Sequence, residues 1–594
     1  MDIPPLDSGS PRTRDLAGLD DRGLQARLQA MPLDQQTDLV LSLDWGERMR
    51  VIRNSPAPRD LVHTIPDEEI LLTIKGVGEE DALDLIDLSS PGQLRFIFDV
   101  ELWSRDSVDD AKILRWLEYI TDCGEDKVID LLETVDRELL VMVLSKLIYL
   151  IPHDPEAPSA AGAGNMVPDD FFTILPRHPA ETERIKLLLR IMRQWDRQKY
   201  YRLLFAVHGS ADSETEEEAL RWRNTRLEEK GLMDFEEAVE IYGYLSEDEA
   251  RVLAASGGSL REDRHGLEAP LYPVRLAGGR TLLARALAGV ADRDLRNRLR
   301  SEIAFCANRL LVADAGNIGE IESMRHAVES LFALTSVGLD YLSAGMMEQA
   351  VEILNRTSVR DLFQIGFSRA VDLRSLAAEA IRRWWPDWKR AGFRFLGPSE
   401  GGIIAGLMKR VPQYYSLTGG SGADFRDFES MAEIADTRSV VEEIVEASDA
   451  CFGVLGIPAP AHARLAAGPD YAGLIEEVDL RNLLATGFVN FSVRGEFTIT
   501  PVDGESIREL FAAVMGEAGS PRRLRPDAVP RFLAWLRGRT GKAGAQWEAL
   551  ERFVRRSIAG LEEEAKYVPA SGDPDPRYFR SVLLSGRSGD RTTE

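Results

Sequence analysis

"SSPGQLRFIFD", residues 89–99, joins a capping serine and a first-turn proline to an apolar run. A similar phrase stands 45 residues earlier as "DWGERMRVI" (44–52), with Met49, Arg50, Val51 and Ile52 over Leu94, Arg95, Phe96 and Ile97. A further 45 residues on, "EDKVIDLLETVDRELLVMVL" (125–144) puts Leu139 in the place of Leu94. Ile70, after "IPDEE", and Leu117, in "KILRWLEYI", fall between, so the equivalent apolar positions are 49, 70, 94, 117 and 139, spaced by 21, 24, 23 and 22. That period is one helix plus a turn.

Each unit reads as a helix because apolar residues recur at threes and fours: Leu83 and Ile86; Leu94, Ile97 and Phe98; Leu132, Leu139, Val143 and Leu147. Ser90 before Pro91 marks a helix start, and Asp67, Glu68 and Glu69 after Pro66 mark another. Helices of ~12 residues are marginal alone. They must stack, and the expectation is an N-terminal α-solenoid-like array with one continuous core.

The phrases "LVHTIPDEEI", "EEDALDLIDLSSPGQLRFIFDVELW" and "EDKVIDLLETVDRELL" resemble the helical repeats of the cytosolic N-domain of bacterial magnesium transporters and of flagellar motor switch proteins, over residues 40–150. The order of "SPGQLRFIFDVELW", "ILRWLEYI" and "ANRLLVAD" resembles an uncharacterised bacterial family, domain of unknown function 6178, over most of the chain. That second resemblance implies no activity. The first implies no transport, since no pore and no nucleotide-sensing domain follow the repeats; magnesium sensing stays open, with no ligand matched residue by residue.

The charge is local. Of the net −26, residues 61–150 carry 21 acids against 8 bases and residues 211–250 carry 14 against 4. Such surfaces discourage nucleic acid and anionic membranes and favour basic partners or divalent cations. Residues 184–202 are the opposite: seven bases outweigh Asp196, with Trp195, Tyr200 and Tyr201 interleaved. A basic, aromatic helix can bind nucleic acid. We read it instead as lying near the acidic 211–250 segment, its charges partly satisfied within the molecule. Residues 521–560 are also basic, with ten bases against Asp527, Glu548 and Glu551, and suit an acidic partner, the protein's own repeats included, or an ordinary Arg-rich surface.

At 594 residues the chain should hold about four units. The expected division is a disordered N-terminus (1–25), helical repeats (26–152), a linker or loop (153–170), an all-α middle block (171–395), a Gly-rich loop region (396–424), an α-rich C-terminal domain (425–570) and a tail (571–594). "GFVNFSVRGEFTIT" (487–500) alternates about Arg494-Gly495 and predicts a small β-hairpin. The fold class is therefore mainly α. "RRWWPDWKR" (382–390) reads as a helix end wedged at a domain junction rather than a membrane anchor.

No reaction is written in local motifs. "LTGGSGADF" (417–425) lacks the Lys-Ser/Thr of a P-loop and the second glycine of a nucleophile elbow, and reads as a surface loop. Seven histidines and three cysteines show no zinc spacing, and Cys306 falls on an apolar stripe. The N-terminus has neither a secretory signal nor an anchor and no apolar stretch reaches the ~20 residues of a spanning helix, so a cytoplasmic protein with reduced thiols is expected.

The expected function is a non-catalytic scaffold or adaptor that binds a protein partner through an acidic surface, with no catalytic residues and no cofactor. Glu68, Glu69, Asp106, Asp109, Arg190, Arg193 and Arg197 are the candidate partner-binding residues. Two alternatives stay open: a divalent-cation sensor in which acidic clusters collect Mg²⁺, and an enzyme whose site is assembled from distant helices.

Overall fold

A computed structural model describes residues 20–104, 107–153, 167–209, 212–229, 232, 235–256, 280–314, 319–384, 393–416, 424–457, 478–502, 523–565 and 580–585, and among these described residues helix-capping and apolar spacing become 25 α-helices. Asp106, the centre of the expected linker at 154–166, the Gly-rich stretch 417–423, residues 385–390 of "RRWWPDWKR", and most of the expected N-terminal segment and tail lie outside the described residues. The chain divides into two compact units. Described residues up to Gly243, with Glu247–Thr335 and Leu342–Gln364, form the first; Tyr244–Ser246, Ser336–Tyr341 and the described residues from Ile365 onward form the second.

The first unit opens with α1 (Asp21–Gln29), α2 (Leu33–Ser42), α3 (Trp45–Asn54), α4 (Pro58–Thr64), α5 (Asp67–Val77), α6 (Leu83–Leu88), α7 (Pro91–Glu101), α8 (Asp110–Asp122), α9 (Glu125–Thr134), α10 (Arg137–Leu147) and α11 (Thr182–Trp195). Their packing skips a neighbour: α1, α3, α5, α7, α9 and α11 touch in sequence, and so do α2, α4, α6 and α8. Ser90 caps α7 as expected and completes a capping box with Gln93. Met49, Ile70, Leu94 and Leu139 are buried in one core, but Leu117 is only partly buried. Its helix, α8, belongs to the other row and points Ile113, Trp116 and Ile120 inward. After α7 the first row continues through α9, which buries Val128 and Leu132.

A buried polar residue precedes the inward apolar one in four helices of this row: Arg48, Glu69, Gln93 and Lys127, none more than 4% exposed. Three of them cap other helix ends. Arg48 Nε donates to the Leu43 carbonyl after α2 (3.0 Å), Gln93 Nε2 to Val62 and Ile65 O at the end of α4 (both 2.8 Å), and Lys127 Nζ to Asp87 and Ser89 O at the end of α6 (2.6 and 2.5 Å). The last carbonyls of a helix have no intrahelical donor, so a buried end needs such a side chain.

Strands β1 (Trp103–Ser104) and β2 (Ser107–Val108) pair antiparallel. β3 (Ile148–Pro152), β4 (Val167–Pro168) and β5 (Phe172–Pro176) form a sheet in the order β3-β5-β4, with Tyr149 opposite Leu175. Helices α12 (Arg197–Gly209), α13 (Asp212–Glu229), α14 (Phe235–Val239), α15 (Glu247–Ser256), α16 (Leu282–Gly289), α17 (Arg293–Ala313), α18 (Ile321–Ser343), α19 (Met347–Arg356) and α20 (Val359–Trp384) follow, and α18 and α20 contribute residues to both units. Cys306 on α17 is buried, as its stripe requires.

The second unit holds α21 (Pro398–Leu407), the hairpin β6 (Tyr414–Ser416) and β7 (Asp424–Arg426), α22 (Met431–Ser448), a π-helical turn (Asp449–Val454), α23 (Leu480–Arg494), α24 (Ala528–Thr540) and α25 (Gly544–Ala565). Here the expected hairpin at 487–500 is overturned. Residues 480–494 are one helix, buried almost continuously from Leu480 to Ser492, and Gly495 ends it in the left-handed region at φ 80°. A helix buried on every side loses its 3.6-residue signature, which let Phe491, Val493, Phe497 and Ile499 pass for strand alternation. Among the described residues of this unit the antiparallel strand pair is instead β6-β7, with Tyr414 opposite Arg426.

Candidate interaction surface

Glu68 and Glu69 occupy the first turn of α5, whose neighbours α3 and α7 cover it, and both are buried. Arg48 Nη1 donates to Glu69 Oε2 at 2.7 Å and to Thr73 Oγ1 at 3.0 Å, and the guanidinium lies 4.6 Å from the Trp45 ring centroid. Both side chains of this pair are 1% exposed. Glu69 therefore braces two helices instead of facing a partner. Asp109, half-buried, caps α8 by accepting from the Ala111 and Lys112 amides at 3.0 and 3.3 Å.

The outward acids lie elsewhere. Lys127 bonds the 87–89 carbonyls and Cys123 Sγ lies 3.8 Å from Leu83 O, so the α8–α9 turn rests against α6. This brings Asp84 and Asp87 toward Asp122, Glu125 and Asp126, and Asp84, Asp122, Glu125 and Asp126 are exposed. Burial, then the charges of Asp87 and Asp122, pushes the Cys123 thiol up to about 11. Residues about 40 positions apart converge here, a juxtaposition that no single helix pattern announces.

Arg190, Arg193 and Arg197 follow the basic helix, and two of them find carboxylates close by. Arg193 Nη2 donates to Asp170 Oδ2 at 3.1 Å and Arg197 Nη2 to the same oxygen at 2.6 Å; Tyr201 Oη adds a bond at 2.7 Å. The Tyr201 hydroxyl, with Arg197, holds the Asp170 carboxyl below its ordinary range. Asp169, buried, accepts from Tyr200 Oη at 3.2 Å. Arg184 reaches Glu181 and Glu118, Lys186 reaches Glu183, and Trp195 Nε1 donates to Glu133. The charges of Arg184, Lys186, Arg193 and Arg197 are met within the molecule, a partial satisfaction as expected, but among the described residues by these acids and not by 211–250. That segment is tied down otherwise: Arg226 on α13 chelates Asp99 with two bonds of 2.7 Å and also meets Asp136. Arg190 is exposed.

The basic 521–560 region is also engaged inside its own unit. Lys542 binds Glu446 and Asp449, Arg552 Nε donates to Glu443 at 2.9 Å, and Arg556 meets Glu443 and the buried Glu400. Arg481 on α23 also meets Glu400. Acids of α21 and α22 thus neutralise bases of α23 and α25.

Chemistry-bearing groups are sparse. Among the described residues no three His, Cys, Asp or Glu side chains gather as metal ligands, and no helix is long and apolar enough to cross a membrane. A cavity of about 80 Å³ among Phe98, Trp116, Leu132, Leu144, Leu188 and Met192 is lined almost wholly by apolar surface. Burial raises the Cys451 thiol to about 12. With Cys123 also raised, less than ~1% of either thiol is ionised at pH 8, so native protein should react with a thiol reagent such as DTNB far more slowly than a free cysteine, and all three cysteines should react in guanidinium. Because both thiols are raised on folding, stability should be full below the ordinary thiol range and fall as pH rises toward 11. Rapid native labelling of Cys451 would contradict this burial.

A family model described as a family of unknown function, DUF6178, matches residues 25–585. The chain belongs to this family. DUF6178 membership spans both units and carries no activity with it. No curated protein and no solved structure matches the chain, so the likeness of residues 40–150 to magnesium transporters and motor switch proteins finds no support.

Proposed function

We propose that this member of DUF6178 is a non-catalytic cytoplasmic scaffold, whose two helical rows form a solenoid-like array and hold a basic protein partner on an acidic face. The carrying observation is the convergence of α6 with the α8–α9 turn, which gathers Asp122, Glu125 and Asp126 at the surface beside Asp84, itself paired with Arg53 at 2.9 Å. Stacked helices bury their apolar stripes against one another and leave a broad outer surface for binding. Carboxylates so placed steer and orient a cationic partner in a salt-dependent way.

The test is binding of a fluorescent Lys/Arg-rich 20-residue peptide to the full chain at low salt. Combined Asp122→Lys, Glu125→Lys and Asp126→Lys should weaken it at least about tenfold, as should 0.5 M salt. Glu125 and Asp126 lie in the first turn of α9, so the reversal also costs about 0.3–1 kcal/mol of helix stability each, and circular dichroism should show the fold retained. Unchanged peptide binding in the folded triple variant would remove the acidic face as the site.

A further inference from the structure

A second surface of the first unit is opposite in charge and shares no residue with the acidic face. Phe171 and Phe205 are 50% and 51% exposed although their ring centroids lie only 5.7 Å apart. The platform beneath them is fixed. Phe171 meets Tyr201 edge-on at 5.0 Å, Phe205 meets the buried Phe172 at 5.1 Å, the Tyr201 hydroxyl is held by Asp170, and Leu203 and Leu204 bury the other side of α12. Two phenylalanines held half in water forfeit hydrophobic stabilisation, and a contiguous exposed apolar patch rimmed by polar groups marks an interaction site.

The rim decides the occupant. Arg137 and Arg202 line the same cleft with Gln198, both arginines are exposed, and neither has a carboxylate partner among the described residues, whereas Arg193 and Arg197 are already engaged by Asp169 and Asp170. Two open guanidinium forks beside an aromatic floor match a carboxylate next to an apolar side chain. A single-stranded nucleic acid would also stack on phenylalanine, but its phosphate backbone needs a track of free cations. Here the track is interrupted by the anionic Asp170.

We propose that this cleft binds an acidic peptide segment of a partner protein, seating one aromatic or aliphatic side chain against Phe171 and Phe205 and carboxylates on Arg137 and Arg202. The cleft would give the scaffold a second, oppositely charged socket built from other residues than the acidic face.

Fluorescence anisotropy on the full chain tests it, with a labelled nonapeptide of glutamates around one central phenylalanine, the same peptide with serine in the centre, and a twelve-residue oligothymidylate. Saturable binding of the phenylalanine peptide should weaken about tenfold or more with Phe205→Ala, with Arg202→Glu, and with the serine peptide. Both substituted side chains are exposed, so the variants should fold. Absence of saturable binding would overturn the proposal. So would peptide binding that ignores both substitutions, or tighter oligothymidylate binding that responds to them. A basic probe plays no part, so the outcome is separate from that at the acidic face.

Discussion

Glu69→Ala is expected to cost about 3–5 kcal/mol, enough to unfold part of the first unit at physiological temperature. The substitution leaves the Arg48 guanidinium, 1% exposed, without its anion, and its remaining partners are neutral: Thr73 Oγ1, the Leu41 and Leu43 carbonyls and the face of Trp45. An uncompensated buried charge is far more costly than the pair was worth, because desolvation has already been borne and the Coulomb attraction is gone. Glu69 itself is imperfectly satisfied, since its Oε1 has no hydrogen-bond partner. The double variant Arg48→Met, Glu69→Leu should therefore recover most of the loss. Urea unfolding followed by circular dichroism reads both. A single-variant loss below about 1 kcal/mol would mean that water reaches this pair, and α3 and α5 would not then be clamped as described.

The position of that pair shows what the sequence could and could not reveal. The interval of 21 that relates Met49 to Ile70 also relates Arg48 to Glu69, so the helices, their spacing and the shared core were all legible from apolar recurrence. The polar partner of each inward residue was not. Asp67, Glu68 and Glu69 look like first-turn acids of a solvated helix, and only the packing of α3 and α7 on α5 buries Glu68 and Glu69. Leu117 shows the related limit: a period near 22 cannot tell which of two alternating rows a helix joins. For the surface, Tyr201 and the arginines of 184–202 stood out by composition. Phe171, Phe205 and Arg137 did not, because the cleft is made where a loop, α10 and α12 meet. Chains of local pattern carry no information about such meetings.

In the second unit, Phe532→Ala should remove about 3–5 kcal/mol, the cost of a large cavity in a core that cannot collapse around it. Phe532 is fully buried, with Phe488 and Phe491 at 5.5 Å, Trp535 at 5.6 Å and Phe497 at 6.2 Å between ring centroids. Deleting the ring strips contacts from four aromatic neighbours at once, so near-ultraviolet circular dichroism should weaken along with the unfolding midpoint. By contrast the exposed Phe205→Ala should change stability by no more than about 0.5 kcal/mol. A companion substitution separates the helix from the hairpin read in the sequence. In an open helix position Gly→Ala stabilises by about 1 kcal/mol. At Gly487 an added Cβ would meet the Phe497 ring at 2.1 Å, because the chain turns at Gly495 and lays that ring back on α23. Gly487→Ala should therefore reverse sign and destabilise by about 1–3 kcal/mol through overpacking. A paired Phe497→Ala should relieve it, since the obstruction is one side chain and not backbone, and a stabilising Gly487→Ala would show that Phe497 does not fold back over the helix.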